Sequence, residues 1–174
     1  MKNTHVTAGS AASSGTIVEL NELLQSFDTA MLTTLTPMGH LRARPMEIQK
    51  PVPEIASDLW FVTSIDSAKS DEIAHEHQVG VCCFRRSDRA YLSISAMARV
   101  RRDPELIRRL YKPAWKLWFP EGPGDPHIAL IEMQVERGEY WNPEGGPVRT
   151  LYEMVKSLVV GESAAANLPP PKKV

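Results

Sequence analysis

The 174-residue sequence has little that would link it to membranes, nucleic acid or oxidative folding. No apolar run reaches the ~20 residues needed to cross a bilayer, and residues 1–15 lack the apolar stretch of a secretory signal. The net charge of −1 gives no overall field that would attract nucleic acid or an acidic membrane. The two cysteines, Cys82 and Cys83, are neighbours in an apolar segment, so no internal disulfide is expected. We therefore expect a cytoplasmic protein that binds neither membrane nor nucleic acid.

Familiar catalytic and metal-binding motifs are missing as well. The sequence contains no G-x-G-x-x-G motif, no P-loop and no arrangement of Ser/His/Asp or Cys/His that suggests a nucleophile. His75 and His77 are two residues apart on a predicted helix, where side chains at positions i and i+2 do not face each other. Zinc-binding pairs on helices use positions i and i+4 instead. We expect no metal site.

The composition is that of one globular domain, with 43% apolar and 24% charged residues. We place this domain at residues 16–161. The small, polar residues 1–15 and the segment 162–174, which ends in Leu-Pro-Pro-Pro-Lys-Lys-Val, are predicted to be disordered tails.

The periodicity of the apolar residues predicts an amphipathic helix near each end of the domain and a series of short strands between them. Thr16 and Glu19 form a capping box before a helix over 17–27, and a second helix covers 148–160. Short strands joined by tight turns indicate a closed barrel or a sandwich. The predicted strands cover residues 31–36, 41–48, 59–64, 79–84, 90–101, 127–135 and 137–141.

Two arginines stand on the second of these strands. Period-two alternation puts Arg42 and Arg44 on the same face. Pro45 cannot donate to a ladder, so the strand should lie at a sheet edge, where backbone groups can meet a ligand. The alternative is a solvated edge that carries two surface arginines, a common protection against aggregation.

The third strand is hydrophobic at its outer positions as well, so we expect it to be central in the sheet and covered on both faces. It ends in hydroxyl groups and leads into a predicted helix. Thr63 and Ser64 close the strand, Ser67 can cap the helix, and Lys69 lies in the first helical turn. A cation there opposes the helix dipole unless an anion is bound beside it. Together with the arginines, these groups suit a phosphate. The alternative is a solvated lysine.

Farther along, Trp115, Trp118 and Phe119 could stack on a flat ligand, although core packing is expected for at least two of them.

The order and spacing of several segments resemble a known family. The segments are L-R-A-R-P-M, L-W-F-V-T-S followed by Lys69, V-G-V-C-C-F, a long strand ending in A-x-A-R-V, and E-Y-W. Over about residues 17–160 they resemble the pyridoxamine 5′-phosphate oxidase-like flavin-binding split barrels. The W-x2-W-F-P-x-G-P-x-D-P stretch over 115–126 is especially similar to the bacterial general stress protein branch.

The resemblance implies a mainly β, α+β fold: a six-stranded antiparallel split β-barrel with flanking helices. It also implies a homodimer with FMN, or alternatively FAD, at the subunit interface. Residues 42–46 would flank the isoalloxazine and help hold the phosphate, residues 61–64 would line the ribityl chain, and Lys69 would bind the phosphate. Trp141, with Arg149, would come from the other subunit. The implied cofactor-binding residues are Arg42, Ala43, Arg44, Pro45, Met46, Phe61, Val62, Thr63, Ser64, Lys69 and Trp141.

The function that follows from the resemblance is that of a flavin-binding general stress-type protein, with oxidoreductase activity on an unknown small molecule left open. The alternatives are a pyridoxamine 5′-phosphate oxidase, a relative that binds deazaflavin or haem, and a flavin- or haem-binding sensor without turnover. No acid or base for catalysis can be identified from the sequence.

We predict that the protein does not oxidise pyridoxamine 5′-phosphate at a useful rate. The oxidases carry an Arg-Leu-His-Asp-Arg type segment that grips the substrate phosphate. Here Arg149 matches the first arginine, but the His and the second Arg are missing. Losing this clamp removes binding energy that positions the substrate. The measurement is pyridoxal 5′-phosphate formation by FMN-loaded protein, and robust turnover would contradict the prediction.

Overall fold

The computed structural model describes residues 22–142, which form one six-stranded antiparallel sheet curled into a half-barrel. The strands are β1 (Thr29–Leu35), β2 (Leu41–Glu47), β3 (Leu59–Ser64), β4 (Gln78–Arg85), β5 (Ala90–Arg101) and β6 (Ile128–Trp141). The helices are α1 (Ala68–His75) and α2 (Pro104–Leu110), followed by 3-10 helices at Pro113–Leu117 and Gly122–Gly124. The strand order is β2-β1-β4-β5-β6-β3. The predicted split-barrel fold is confirmed.

Some predictions lie outside the described residues: both tails, the capping box at Thr16, the helix over 148–160 and the role of Arg149. Of the predicted first helix, only its end is described, and residues 22–25 are helical. None of the helices within 22–142 has the length and apolar composition to span a bilayer.

The last two predicted strands are in fact one strand, β6. Ser95 pairs with Arg137 and Ala96 with Val135, so the register shifts and Glu136 is an extra residue on β6. Such a bulge lets a strand continue after its alternation is interrupted. Glu136 and Arg137 are both exposed, and this break in the inside–outside pattern made one strand look like two in the sequence.

The prediction that β3 is a central strand was wrong. β3 pairs only with β6 and lies at one edge of the sheet, while β2, as Pro45 predicts, lies at the other. Burial on both faces of β3 was predicted correctly, but it does not result from a central position in the sheet. One face turns to the main core, and the other is covered by α2 and the 3-10 helices that follow it.

Two hydrophobic clusters pack on opposite sides of the sheet. The larger one fills the concave inner face and contains Leu32, Phe61, Ile73 and Leu92. The smaller one packs Trp60 against Trp115, Phe119 and their neighbours from α2. As expected for two of the three clustered aromatics, Trp115 and Phe119 are core residues, whereas Trp118 is 76% exposed.

The two edge strands, β2 and β3, approach each other, and we call the gap between them the split. The backbone N–H of Gln49, just after β2, lies 3.4 Å from the carbonyl oxygen of Trp60 on β3. Helix α1 follows β3 after a short turn, packs against β1 and β5, and buries Ile73 in the main core. Side chains at the start of α1 are thereby placed beside β2.

We predict that Leu92→Ala lowers the free energy of unfolding by about 2–5 kcal/mol, because it leaves a cavity in the main core. The matched control is Leu117→Ala, the same substitution at a side chain that is 79% exposed, which should change stability by less than ~0.5 kcal/mol. Denaturant unfolding measures both variants. Equal effects would contradict the assignment of the core.

Candidate anion-binding site

The site is built around one buried carboxylate, that of Glu72 on α1, whose side chain is 4% exposed. Its Oε1 accepts a hydrogen bond from Arg42 Nη1 at 3.2 Å. Its Oε2 accepts from Arg44 Nη2 at 2.7 Å and from the hydroxyl of Thr34 at 2.5 Å. Arg44 Nη1 also donates to the Thr34 hydroxyl. Glu72 thus joins α1 to both β1 and β2.

The arginines and Thr34 keep Glu72 ionised. Burial acts to raise the pKa of the carboxyl, but the hydrogen bonds from Thr34 and Arg44 and the charges of the two arginines outweigh burial and lower the pKa. Because the pKa is lower in the folded than in the unfolded state, the stability that results is present above the usual pKa of a glutamate. It is lost as the pH falls through the folded-state value.

The predicted placement of the arginines on one face is confirmed, and the face is the inner one. Arg42 lies opposite Thr34 and Arg44 opposite Leu32, which are both buried. The side chain of Arg44 is only 21% exposed and that of Arg42 is 60% exposed. Arg44 is therefore not the solvated surface arginine of the alternative interpretation.

Lys69 lies in the same group of charges, one helical turn before Glu72. Its side chain is half-buried, and it makes no hydrogen bond or ion pair with any residue in the described part of the chain. Burial lowers the pKa of Lys69, the positive charge of Arg44 lowers it further, and the charge of Glu72 acts in the opposite direction. A half-buried cation beside an arginine is a position that a bound anion would stabilise.

Hydroxyl groups surround the turn between β3 and α1. The Thr63 and Ser67 hydroxyls lie 3.2 Å apart, and those of Ser67 and Ser70 lie 3.0 Å apart. The Ser70 hydroxyl donates to the Ser64 carbonyl oxygen at 2.8 Å. Ser67 occupies the N-cap position, as predicted, but its side chain makes no capping hydrogen bond. The structure thus brings Thr63, Ser64 and Ser67 to the start of α1.

The other predicted site residues fall into three groups. Ala43 and Pro45 lie on the exposed outer face of β2, opposite to the arginine side chains. Met46 and Phe61 are buried in the main core, which leaves mainly their backbone to meet a ligand. Val62 is partly buried on the face of β3 that is covered by the second cluster.

Trp141 lies far from Arg42 and Arg44 of its own chain. It pairs with Tyr91 on β5, and Tyr91 pairs with Phe84 on β4, so these three aromatics form a row on the outer face. The row is close to the Thr29 end of β1, whereas Arg42 pairs with Thr34. At ~3.3 Å per residue, the row is about 17 Å along the strand from Arg42 and about 10 Å from Arg44, which pairs with Leu32, in addition to the width of the strands between them.

Neither Glu72 nor Thr34 was among the predicted site residues. A signal for Glu72 was available, since it follows Lys69 by three residues on a predicted helix and so shares a face with it. No such signal identifies Thr34, whose role depends on strand pairing.

Within 22–142, no three His, Cys, Asp or Glu side chains come together as metal ligands.

Known proteins share this fold and parts of the sequence. A Clostridium acetobutylicum protein related to general stress protein 26 of Bacillus subtilis is 17% identical, with a TM-score of 0.62 over 79% of this chain and 95% of its own. A pyridoxamine 5′-phosphate oxidase-related, FMN-binding protein from Nostoc punctiforme is 18% identical, with a TM-score of 0.63 over 80% and 89%. At these identities the likeness concerns the fold.

Two further relatives are closer in sequence. The general stress FMN/FAD binding protein of Xanthomonas citri is 28% identical, with a TM-score of 0.58 over 75% of this chain and 94% of its own. Protein bli-3 of Neurospora crassa is 24% identical over 160 residues, which are 87% of this chain and 76% of bli-3. The sequence model of the family described as pyridoxamine 5′-phosphate oxidase like matches residues 16–165. This chain therefore belongs to the pyridoxamine 5′-phosphate oxidase-like family.

Proposed function

We propose that this chain binds a flavin at the split between β2 and β3, with FMN as the first candidate and FAD as the alternative. The observation that carries the proposal is Lys69, a half-buried cation without a partner in the described part of the chain, beside Arg44. The names of the Nostoc and Xanthomonas citri relatives, which include FMN or FMN/FAD, support a flavin as the ligand.

The charges of the site fit a phosphate monoester. Arg42, Arg44 and Lys69 face one carboxylate, that of Glu72, which leaves two positive charges in excess. A phosphate monoester carries about −1.5 to −2 at neutral pH. Arg44 uses two of its nitrogens within the network, so the rest of its five N–H groups and the ammonium of Lys69 can donate to phosphate oxygens.

We place the rest of the flavin along the two edges of the sheet. Residues 42–46 of β2 would flank the isoalloxazine, chiefly through the backbone at Ala43, Pro45 and Met46. Residues 61–64 of β3 would line the ribityl chain. The Thr63 hydroxyl lies 3.2 Å from that of Ser67, and the Ser64 hydroxyl accepts from the backbone N–H of Asp66 at 3.3 Å, so both hydroxyls lie at the turn before α1. A bound flavin would supply hydride or electron transfer, and the protein would orient it.

The biochemical role that we propose is that of a general stress-type flavoprotein, with a flavin-dependent oxidoreductase acting on a small molecule as its catalytic form. A non-catalytic flavin sensor uses the same site without turnover. The absorption spectrum and the mass of the cofactor released from purified protein separate flavin from deazaflavin and haem. Substrate-dependent reduction of the bound flavin separates an enzyme from a sensor.

We predict that Lys69→Ala weakens FMN binding about ten- to a hundredfold, because it removes a charge-assisted contact worth ~1.5–3 kcal/mol. Riboflavin has the same ring system and ribityl chain but no phosphate, so its affinity should not change. The quenching of flavin fluorescence measures both dissociation constants.

The matched control is Lys116→Ala, which removes an exposed lysine from the 3-10 helix at Pro113–Leu117. It should bind both ligands like the wild type. If Lys69→Ala and Arg44→Ala both retain wild-type affinity for FMN, the phosphate does not lie at this site. Equal losses for FMN and riboflavin would place Lys69 at the ring or the ribityl chain instead.

We also propose that two copies of the chain form each flavin site. Trp141 lies on the outer face, and Arg44 of the same chain lies on the inner face toward the other end of the strands. One flavin could therefore not contact both side chains of a single chain. A two-fold axis would give two equal sites, each with Arg44 and Lys69 from one chain and Trp141 from the other.

The composition of the outer face supports a second copy as its occupant. Apolar side chains are exposed on four neighbouring strands and the β1–β2 turn, a pattern typical of an interaction surface. They are Met31, Met38, Leu41, Phe84 and Tyr91. On β5 this face continues through Ser93, Ser95 and Met97, which the sequence alone suggests as a subunit contact.

We predict that flavin occupancy and dimer content fall together on dilution, because a ligand that binds only the dimer stabilises it by mass action. Sedimentation measures the mass, and absorbance at flavin wavelengths measures occupancy in the same run. Trp141→Ala should weaken flavin binding and alter flavin fluorescence, whereas Trp118→Ala, at an exposed tryptophan elsewhere, should not. A monomer that retains tightly bound flavin would contradict the proposal.

Cys82 gives an independent readout of the same interface. It lies on the outer face between Met31 and Ser93, so a second copy would shield it from thiol reagents. Labelling of Cys82 should therefore accelerate on dilution. Cys83 is the internal control, because burial raises the pKa of its thiol to about 12 and it should react only after unfolding.

A further inference from the structure

We propose that Glu72 is a positioning residue for the phosphate site: its carboxylate fixes the guanidinium of Arg44 in the orientation that meets the ligand. The inference rests on the proposed flavin site and assigns a role to a residue that would not itself touch the flavin. Its basis is the contact geometry among Glu72, Thr34 and the two arginines.

Arg44 is held at two points. One terminal nitrogen donates to Glu72 Oε2 at 2.7 Å and the other donates to the Thr34 hydroxyl, which itself donates to the same carboxylate oxygen. Three groups from α1, β1 and β2 thus form a closed ring of hydrogen bonds. Two contacts on a planar guanidinium fix both its position and the direction of its plane.

Fixing Arg44 in advance should favour ligand binding. A free arginine side chain must be ordered when a ligand binds, and preorganisation removes much of this cost. The clamp directs two N–H groups inward and leaves the others available to an anion. Arg42 has only one contact to Glu72, at 3.2 Å, and is more exposed, so it is held less firmly.

The negative charge of Glu72 cannot itself attract an anionic ligand. A carboxylate beside an anion site repels the ligand, so charge alone predicts that its removal tightens phosphate binding. Positioning predicts the opposite result, since Arg44 would lose its fixed orientation. The two interpretations therefore differ in the sign of one measurement.

The experiment measures the affinities of Glu72→Gln for FMN and for riboflavin. The glutamine keeps the shape of the side chain and removes the charge. We expect the FMN dissociation constant to rise about tenfold, as for the loss of a charge-assisted hydrogen bond, and the riboflavin dissociation constant to stay within twofold. A general loss of structure would affect both ligands, so the phosphate-specific difference isolates positioning.

The matched control is Asp71→Asn, which removes the same charge one residue away, at an exposed position on α1. It should bind FMN as tightly as the wild type or slightly more tightly. If Glu72→Gln does not fold, Thr34→Val serves as the second variant, because it removes the hydroxyl that joins Arg44 to Glu72 while keeping the volume. We expect a smaller, again phosphate-specific, loss.

A double-mutant cycle tests whether Glu72 acts through Arg44. If it does, adding Glu72→Gln to Arg44→Ala should cause little further loss of FMN affinity. Full additivity would overturn the inference, and so would unchanged or tighter FMN binding by Glu72→Gln and Thr34→Val.

The failure of the inference can be distinguished from that of the proposed function. A wild type that binds FMN no more tightly than riboflavin contradicts both. If Lys69→Ala loses FMN selectively while Glu72→Gln does not, the phosphate site stands and the positioning role is overturned.

Discussion

The candidate site depends on the ion pairs and hydrogen bonds that the buried carboxylate of Glu72 makes with Arg42, Arg44 and Thr34. A half-barrel leaves two strand edges, here β2 and β3, and hydrogen bonds of the sheet do not close the gap between them. Helix α1 extends from the β3 side, and Glu72 attaches it to β1 and β2 through Thr34 and the arginines. One ionised side chain thus ties α1 to the β2 edge at the candidate site, in addition to the backbone contact between Gln49 and Trp60.

In this arrangement Arg44 has two roles. Arg44 neutralises a buried carboxylate, and it also adds to the positive charge around Lys69. Removing either partner of a buried ion pair leaves an uncompensated charge, which is strongly destabilising. Arg44 is therefore both part of the fold and part of the proposed site. Lys69 makes no hydrogen bond or ion pair in the described part of the chain, so its proposed role lies in the site alone.

Sequence patterns predicted the strands up to β5, the edge position of β2 and the shared face of Arg42 and Arg44, but they divided β6 into two strands. These features follow from period-two alternation and from the missing N–H of Pro45, which are local properties. The patterns did not reveal that Arg44 binds Glu72, because alternation states which residues share a face but not which face turns inward. The burial of Phe61 and the edge position of β3 also depend on what packs against that strand, so they required the fold.

The single strand neighbour of β3 has a consequence for folding. Ser64 pairs with Ile128, so β3 cannot enter the sheet until a strand more than sixty residues later in the chain is available. Such distant pairings close large loops and slow folding. During synthesis the hydroxyl-rich turn and α1 emerge well before β6 can hold β3 in place. The proposed phosphate site should therefore be among the last parts of the molecule to form, and a nascent chain should lack the proposed flavin affinity until β6 has left the ribosome.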